Sequence, residues 1–166
     1  MELHLINGSP NGRKVLSVVN HLGLNPTLVW LDIFAGDTQH PDFLAHNPNG
    51  LSPVLIDGDF TLWESNAINT YLCSKVEHQT LYPDDAKGQA DMWRWLSWEL
   101  AHFNKALGVI GFQAVAKPTF GLGEPDSYLI DSSVEQFNRF GAVLEQHLEG
   151  RDHIIGNDWT LADYAL

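Results

Sequence analysis

Two short polar clusters stand where helices should begin, and both carry residue types that can hold or stabilise an anionic group. The first is Ser9-Pro10-Asn11-Gly12-Arg13-Lys14-Val15, which follows a short apolar run of Leu3, Leu5 and Ile6. A hydroxyl and a carboxamide beside a helix amino terminus are donors in a field that favours negative charge. Ser9 can equally serve as an N-cap with Pro10 at the first helical position, and the two roles are compatible. The second cluster is Glu64-Ser65, where a helix start with a hydroxyl suits a carboxylate and the Glu64 side chain suits an ammonium. Capping for Ser65 and solvation for Glu64 are the plain alternatives.

Other chemistries lack their residues. Cys73 is the only cysteine, which excludes an internal disulfide and a CxxC redox pair and leaves a buried structural thiol as its expected role. None of the eight histidines falls at HxxxH or HExxH spacing, so no metal site is expected. No glycine-rich phosphate loop is present, so no nucleotide is expected. Asp and Glu number 21 against 9 Lys and Arg, a net charge of −12, which argues against nucleic acid and anionic membranes as partners. No apolar run approaches the roughly 18 residues of a membrane span. The amino terminus lacks the charged-then-apolar layout of a signal peptide. A reducing, cytoplasmic setting is the expectation.

The elements that must position the two clusters follow from periodicity. Val15, Val18, Val19 and Leu22 repeat at i, i+3, i+4 and i+7, which predicts a helix that Gly23 ends. Thr27 to Ile33 reads as a second strand. Phe43 and Leu44 anchor a short helix, and Asn47-Pro48-Asn49-Gly50 marks a turn. Val54-Leu55-Ile56 and Phe60-Thr61-Leu62 flank a hairpin turn at Asp57-Gly58, and a helix from about Ser65 to Val76 follows. The order β-α-β-α-β-β-α is the thioredoxin-like layout, an α/β domain over residues 1–78.

Residues 79–85 read as a linker. From 86 to 166 only helical patterns remain, so an all-α domain is expected. Trp93, Leu96, Leu100, Phe103 and Leu107 mark a long helix at heptad-like spacing. A Gly- and Pro-rich loop spans roughly 117–125, and a second helix carries Leu129, Phe137, Phe140, Val143, Leu144 and Leu148. Trp93 and Trp95 cannot share a face, and an aromatic stripe of this kind is more often core than pocket. Thr160-Leu161-Ala162-Asp163 resembles a capping box. It opens a helix six residues before Leu166, and the expectation is a helical domain that stops early, a truncated product.

Four separated features in order resemble the cytosolic glutathione S-transferase superfamily across essentially the whole chain. They are Ser9 to Val15, Asn47 to Leu55 (NPNGLSPVL), Glu64-Ser65, and Trp159-Thr160-Leu161-Ala162-Asp163. The resemblance is nearest to bacterial enzymes with a Ser- or Asn-type site, similar to the nu, theta or phi classes. It implies a thioredoxin-like glutathione-binding domain, a helical second domain, a homodimer, and conjugation of glutathione to a hydrophobic electrophile in detoxification. It also implies roles: Ser9 or Asn11 as donor to the glutathione sulfur, Ser65 and Glu64 at the γ-glutamyl end, and Ser52 before a cis Pro53 at the cysteinyl backbone. Leu51 and Ser52 depart from the family, which often has a polar or basic residue and then Val or Ile. His40 is a candidate substitute near the glycyl end, with a solvated loop histidine as its alternative. Two other functions stay open: glutathione-dependent disulfide or peroxide reduction, as the nu-like run suggests, and a non-catalytic transferase-fold binding protein.

Overall fold

The computed structural model describes residues 1–166, which form two compact units, Met1–Tyr82 and Pro83–Tyr164. In the first unit a four-stranded sheet is built from β1 (Glu2–Ile6), β2 (Thr27–Leu31), β3 (Val54–Asp57) and β4 (Phe60–Trp63) in the order β2-β1-β3-β4. β1 runs parallel to β2, with Leu3 beside Leu28, and antiparallel to β3, with Leu3 beside Leu55. Alternation along β1 buries Leu3 and Leu5 fully, as the two-residue period of a strand requires. β3 and β4 pair antiparallel around Gly58-Asp59, one residue later than the expected turn pair. Gly58 takes the positive φ of 65° that such short loops need.

Helix α1 (Pro10–His21) buries Val15, Val18 and Val19, and helix α3 (Ser65–Cys73) buries Ile68, Leu72 and Cys73. The two helices pack on each other. Side-chain burial of this size, about 1.5–3 kcal/mol for each large aliphatic residue, is what holds helices of only 12 and 9 residues. The short α2 (Pro41–His46) lies between β2 and β3 in the chain and buries Phe43. Two expected ends were too long. β2 stops at Leu31, because the Asp32 carboxylate accepts from Phe34 N at 2.8 Å and Ala35 N at 3.2 Å and turns the chain. α3 stops at Cys73, where Ser74 Oγ bonds the Tyr71 carbonyl at 2.7 Å.

The second unit is helical. A nearly continuous helical run comprises α4 (Ala86–Trp98), a π-helical turn (Glu99–Phe103), α5 (Asn104–Gly111), a second π-helical turn (Phe112–Ala116) and α6 (Lys117–Phe120). Asp85 caps its start, accepting from Lys87 N and Gly88 N. α7 (Ser127–Leu148) and the short α8 (Leu161–Ala165) follow. The expected loop at 117–125 is helical through Phe120. Pro118 follows closely on the second π-helical turn, and Gly121 at φ 64° ends the run.

The expected apolar face of the long helix holds at Leu96, which is buried, and at the half-buried Phe103, and fails at its other three members. Trp93, Leu100 and Leu107 are exposed, whereas Met92, Trp95, Leu96, Glu99 and Ala106 are buried. The heptad therefore runs through 92, 99 and 106, about 100° round the helix from the phase that hydrophobicity alone suggests. Trp95 is 6% exposed and Trp93 39%, the division their spacing requires. No helix is long and apolar enough to cross a membrane.

Candidate functional site

The first cluster falls at the junction of β1 and α1. Ser9 has extended backbone angles and its Oγ accepts from Gly12 N at 3.2 Å, so it is the N-cap, with Pro10 at the first position. A hydroxyl accepts through its lone pairs and keeps its proton, so capping leaves Ser9 a donor. Gly12 packs at ordinary contact distance on the strand: a Cβ there would stand 3.4 Å from Leu5 Cδ2 and 3.5 Å from Ser9 Cβ.

The second cluster falls at the start of α3. Glu64 is exposed and holds φ 72°, ψ 114°, a region that a non-glycine residue occupies only at a cost of order 1–3 kcal/mol. No side chain caps the helix. Ser65 therefore does not fill the capping role that was its alternative. It is 5% exposed, and its Oγ donates to Asn11 Oδ1 at 3.4 Å. Asn11 and Ser65, 54 residues apart, thus meet across the first turns of α1 and α3. Beside them Asn66 is 5% exposed, with neither amide atom hydrogen-bonded.

The Ser52–Pro53 bond is cis. Ser52 Oγ donates to the His4 carbonyl at 3.3 Å, which ties this loop to β1, while Leu51 is 63% exposed. The loop is organised by a residue that the expected site omitted. Asn47, 2% exposed, donates from Nδ2 to the Leu51 carbonyl at 2.7 Å. Its Oδ1 accepts from Asn49 N at 3.1 Å and Asn49 Nδ2 at 2.9 Å. The Asn-Pro-Asn-Gly signal marked the turn, and the asparagine's preference for bonding backbone two residues on was the available clue. Gly50 is held at φ 64°, where a Cβ would stand 2.5 Å from Gln39 Nε2 and 3.1 Å from the Thr38 carbonyl.

His40 does not join this group. It caps α2, accepting from Asp42 N through Nδ1 at 3.4 Å, with the Asp42 carboxylate 3.5 Å from the same nitrogen and a side chain 64% exposed. Cys73 lies in the core of the first unit, 2% exposed, and burial pushes its thiol up to about 12. It is a poor nucleophile. No group of three His, Cys, Asp or Glu side chains is placed to hold a metal ion.

A thioredoxin-like sheet with donors at two helix starts, followed by a helical unit, is the class of two-part protein that the fold and site define. Comparison with known proteins makes the assignment specific. Residues 8–75 match the family described as glutathione S-transferase, N-terminal domain. Glutathione S-transferase 3 of Zea mays is 39% identical over 157 residues, covering 93% of this chain and 70% of its own length. The crystal structure of glutathione transferase F7 from Populus trichocarpa superposes with a TM-score of 0.90 at 31% identity, over 99% of this chain and 78% of that one. The structure of a glutathione S-transferase I bound with lactoylglutathione superposes with a TM-score of 0.88 at 27% identity, over 99% of this chain and 78% of that one. The chain belongs to the glutathione S-transferase family, and the glutathione S-transferases are enzymes.

Proposed function

We propose that this protein binds glutathione through its first unit, stabilises the bound thiol as thiolate, and transfers it to a small hydrophobic electrophile. The observation that carries the reading is the meeting of Asn11 and Ser65 at two helix starts, with Ser9, the N-cap that keeps its proton, two residues before Asn11.

The γ-glutamyl carboxylate is assigned to the uncapped start of α3, where Ser65 and free backbone N–H groups offer donors. Glu64 takes the ammonium, and the strained backbone at that position supports a functional rather than a structural reason for it. Ser52 and Pro53 take the cysteinyl backbone. His40, spent on its own helix cap and far exposed, is the weakest member of the set.

Thiol activation falls to Ser9 and Asn11. A free thiol of pKa about 8.5 is only a few per cent ionised at neutral pH, and lowering it by about two units takes roughly 2.7 kcal/mol. A hydrogen bond to a charged acceptor contributes about 1.5–3 kcal/mol, and a helix amino terminus about 0.3–1 kcal/mol. One donor at the start of α1 therefore suffices, and two exceed the need. The thiol proton leaves to solvent. The sulfur lone pair forms the new bond to carbon, and the electrophile's leaving group departs with the displaced electron pair.

The same reading carries a twofold homodimer, a cytoplasmic setting and a role in detoxification. Isothermal titration of the 166-residue chain with reduced glutathione, paired with a conjugation assay using chlorodinitrobenzene, tests it. Saturable heat and turnover that disappears in Ser9→Ala/Asn11→Ala support the proposal. Binding without turnover beyond the uncatalysed rate would leave a glutathione-binding protein only.

A further inference from the structure

Strand β2 is the outermost of the sheet, whose order is β2-β1-β3-β4, so one side of it has no strand beside it. Backbone groups along a strand point alternately to its two sides. Thr27 N donates to the Met1 carbonyl at 3.1 Å, toward β1. Thr27, Val29 and Leu31 therefore turn their N–H and C=O groups to β1, and those of Leu28 and Trp30 face outward. The same two residues carry exposed apolar side chains, Leu28 at 40% and Trp30 at 53%. Edge strands are ordinarily blunted by a lysine, a proline, a bulge or a covering segment. The run Thr-Leu-Val-Trp-Leu has no charge and no proline, and its register with β1 is unbroken from Thr27 to Leu31.

On a chain of net charge −12, an uncharged edge suits a partner edge that is uncharged too, and a second copy supplies one. Twofold antiparallel pairing can be centred on Leu28, Val29 or Trp30. Centred on Leu28, it sets Trp30 against Pro26 of the second copy, which has no N–H. Centred on Trp30, it sets Leu28 against Asp32, whose N–H is already given to Asp37 Oδ2 at 2.8 Å. Centred on Val29, it sets Leu28 opposite Trp30 on both sides of the axis, and every outward N–H meets a carbonyl. The side chains then form two aromatic–aliphatic pairs across the strands. No like charges stand opposite within this ribbon. The first carboxylates beyond it, Asp32 of each copy, lie about 20 Å apart along the strands, further than the Debye length of about 8 Å at physiological salt.

We propose that the free edge of β2 pairs with the same edge of a second copy, antiparallel and centred on Val29, joining two four-stranded sheets into one. This surface does not depend on what the starts of α1 and α3 bind. Where the homodimer proposed above forms through another face, edge pairing links such dimers. A ribbon of five residues is smaller than the about 800 Å² per partner of a standard stable interface, so the association is reversible and grows with concentration.

Sedimentation velocity of the full chain from low to high micromolar concentration, together with covalent trapping, tests the pairing. The wild-type chain is expected to gain mass over that range, and Trp30→Lys to need about ten times the concentration for the same gain. Trp30 is exposed, so its replacement should leave the melting midpoint unchanged. Opposed residues in a non-hydrogen-bonded antiparallel pair have Cα atoms about 4.5 Å apart, within the reach of a disulfide. Val29→Cys under a mild thiol oxidant is therefore expected to give a covalent dimer. Leu28→Cys, which faces Trp30 and not its own counterpart, should give far less. Cys73, 2% exposed, stays out of the reaction. Equal trapping at positions 28 and 29 would overturn the register. A mass that stays constant with concentration, or rises as steeply in Trp30→Lys, would overturn the pairing and leave the edge open to an extended segment of another chain.

Discussion

Removing the Asp163 carboxylate should destabilise the second unit by an amount that can be worked out from three hydrogen bonds. Asp163 Oδ1 accepts from Ile154 N at 2.7 Å, and Oδ2 accepts from Thr160 N at 2.7 Å and Thr160 Oγ1 at 2.8 Å. The carboxylate, 7% exposed, holds the loop before α8 to the start of that helix. Ile154 and Thr160 are 5% exposed each, so their N–H groups have no ready replacement in water. Two buried donors left without an acceptor cost about 1–3 kcal/mol apiece, giving roughly 4 kcal/mol for Asp163→Ala. With a urea slope of about 2 kcal/mol/M, the midpoint should fall by about 2 M. Asp163→Asn keeps one acceptor and should lose about half as much. Urea unfolding followed by tryptophan fluorescence reads this well, since Trp93, Trp95, Trp98 and Trp159 all lie in the second unit. A loss below about 1 kcal/mol for Asp163→Ala would refute the reasoning, because water would then be replacing the carboxylate at little cost.

Gly50→Ala should lower stability by about 1–2 kcal/mol from the left-handed backbone alone, and by more from the clash with Gln39 and Thr38. Thermal melting checks it, and an unchanged midpoint would contradict the close approach. Asp57 is held below the usual carboxylate range by its hydrogen bonds to Lys75 and to Tyr71, each 2.8 Å. A depressed folded value adds stability above the unfolded pKa of about 3.9 and loses it as pH falls through the folded value. Asp57→Asn should therefore flatten part of the acid limb of stability against pH and leave the slope near neutrality unchanged. Cys73, with its thiol pushed up to about 12, should resist a disulfide reagent at pH 8 in the folded chain and react in denaturant. Fast labelling of the native protein would contradict its burial.

The first unit was legible in the sequence because its elements carry one period each. Leu3 and Leu5 alternate, and Val15, Val18, Val19 and Leu22 keep one helical face, so no competing pattern obscured either element. The ends of β2 and α3 were not legible, since Asp32 and Ser74 stop them through side-chain hydrogen bonds that periodicity does not contain. The long helix was misphased in part, at Trp93, Leu100 and Leu107 though not at Leu96, for a different reason. Its buried face includes Glu99 and Gln113, polar residues in the two π-helical turns, while Trp93, Leu100 and Leu107 offered a more apolar but exposed stripe. Of the site, Ser9 and Ser65 were visible as helix starts. Their different uses were not, because whether a hydroxyl caps its own helix or reaches another depends on the Glu64 backbone and on the packing of α1 against α3. Asn47 was hidden inside a turn signal that named the turn without naming its organiser.

The central claim is that this chain lowers the pKa of glutathione's thiol when it binds it. The most direct measurement is the wild-type thiolate absorbance titration at saturating glutathione. A bound-thiol pKa about two units below the free value of about 8.5 is the predicted result. A folded chain that binds glutathione and leaves the thiol titrating at its solution value, or does not bind it at all, would contradict the account.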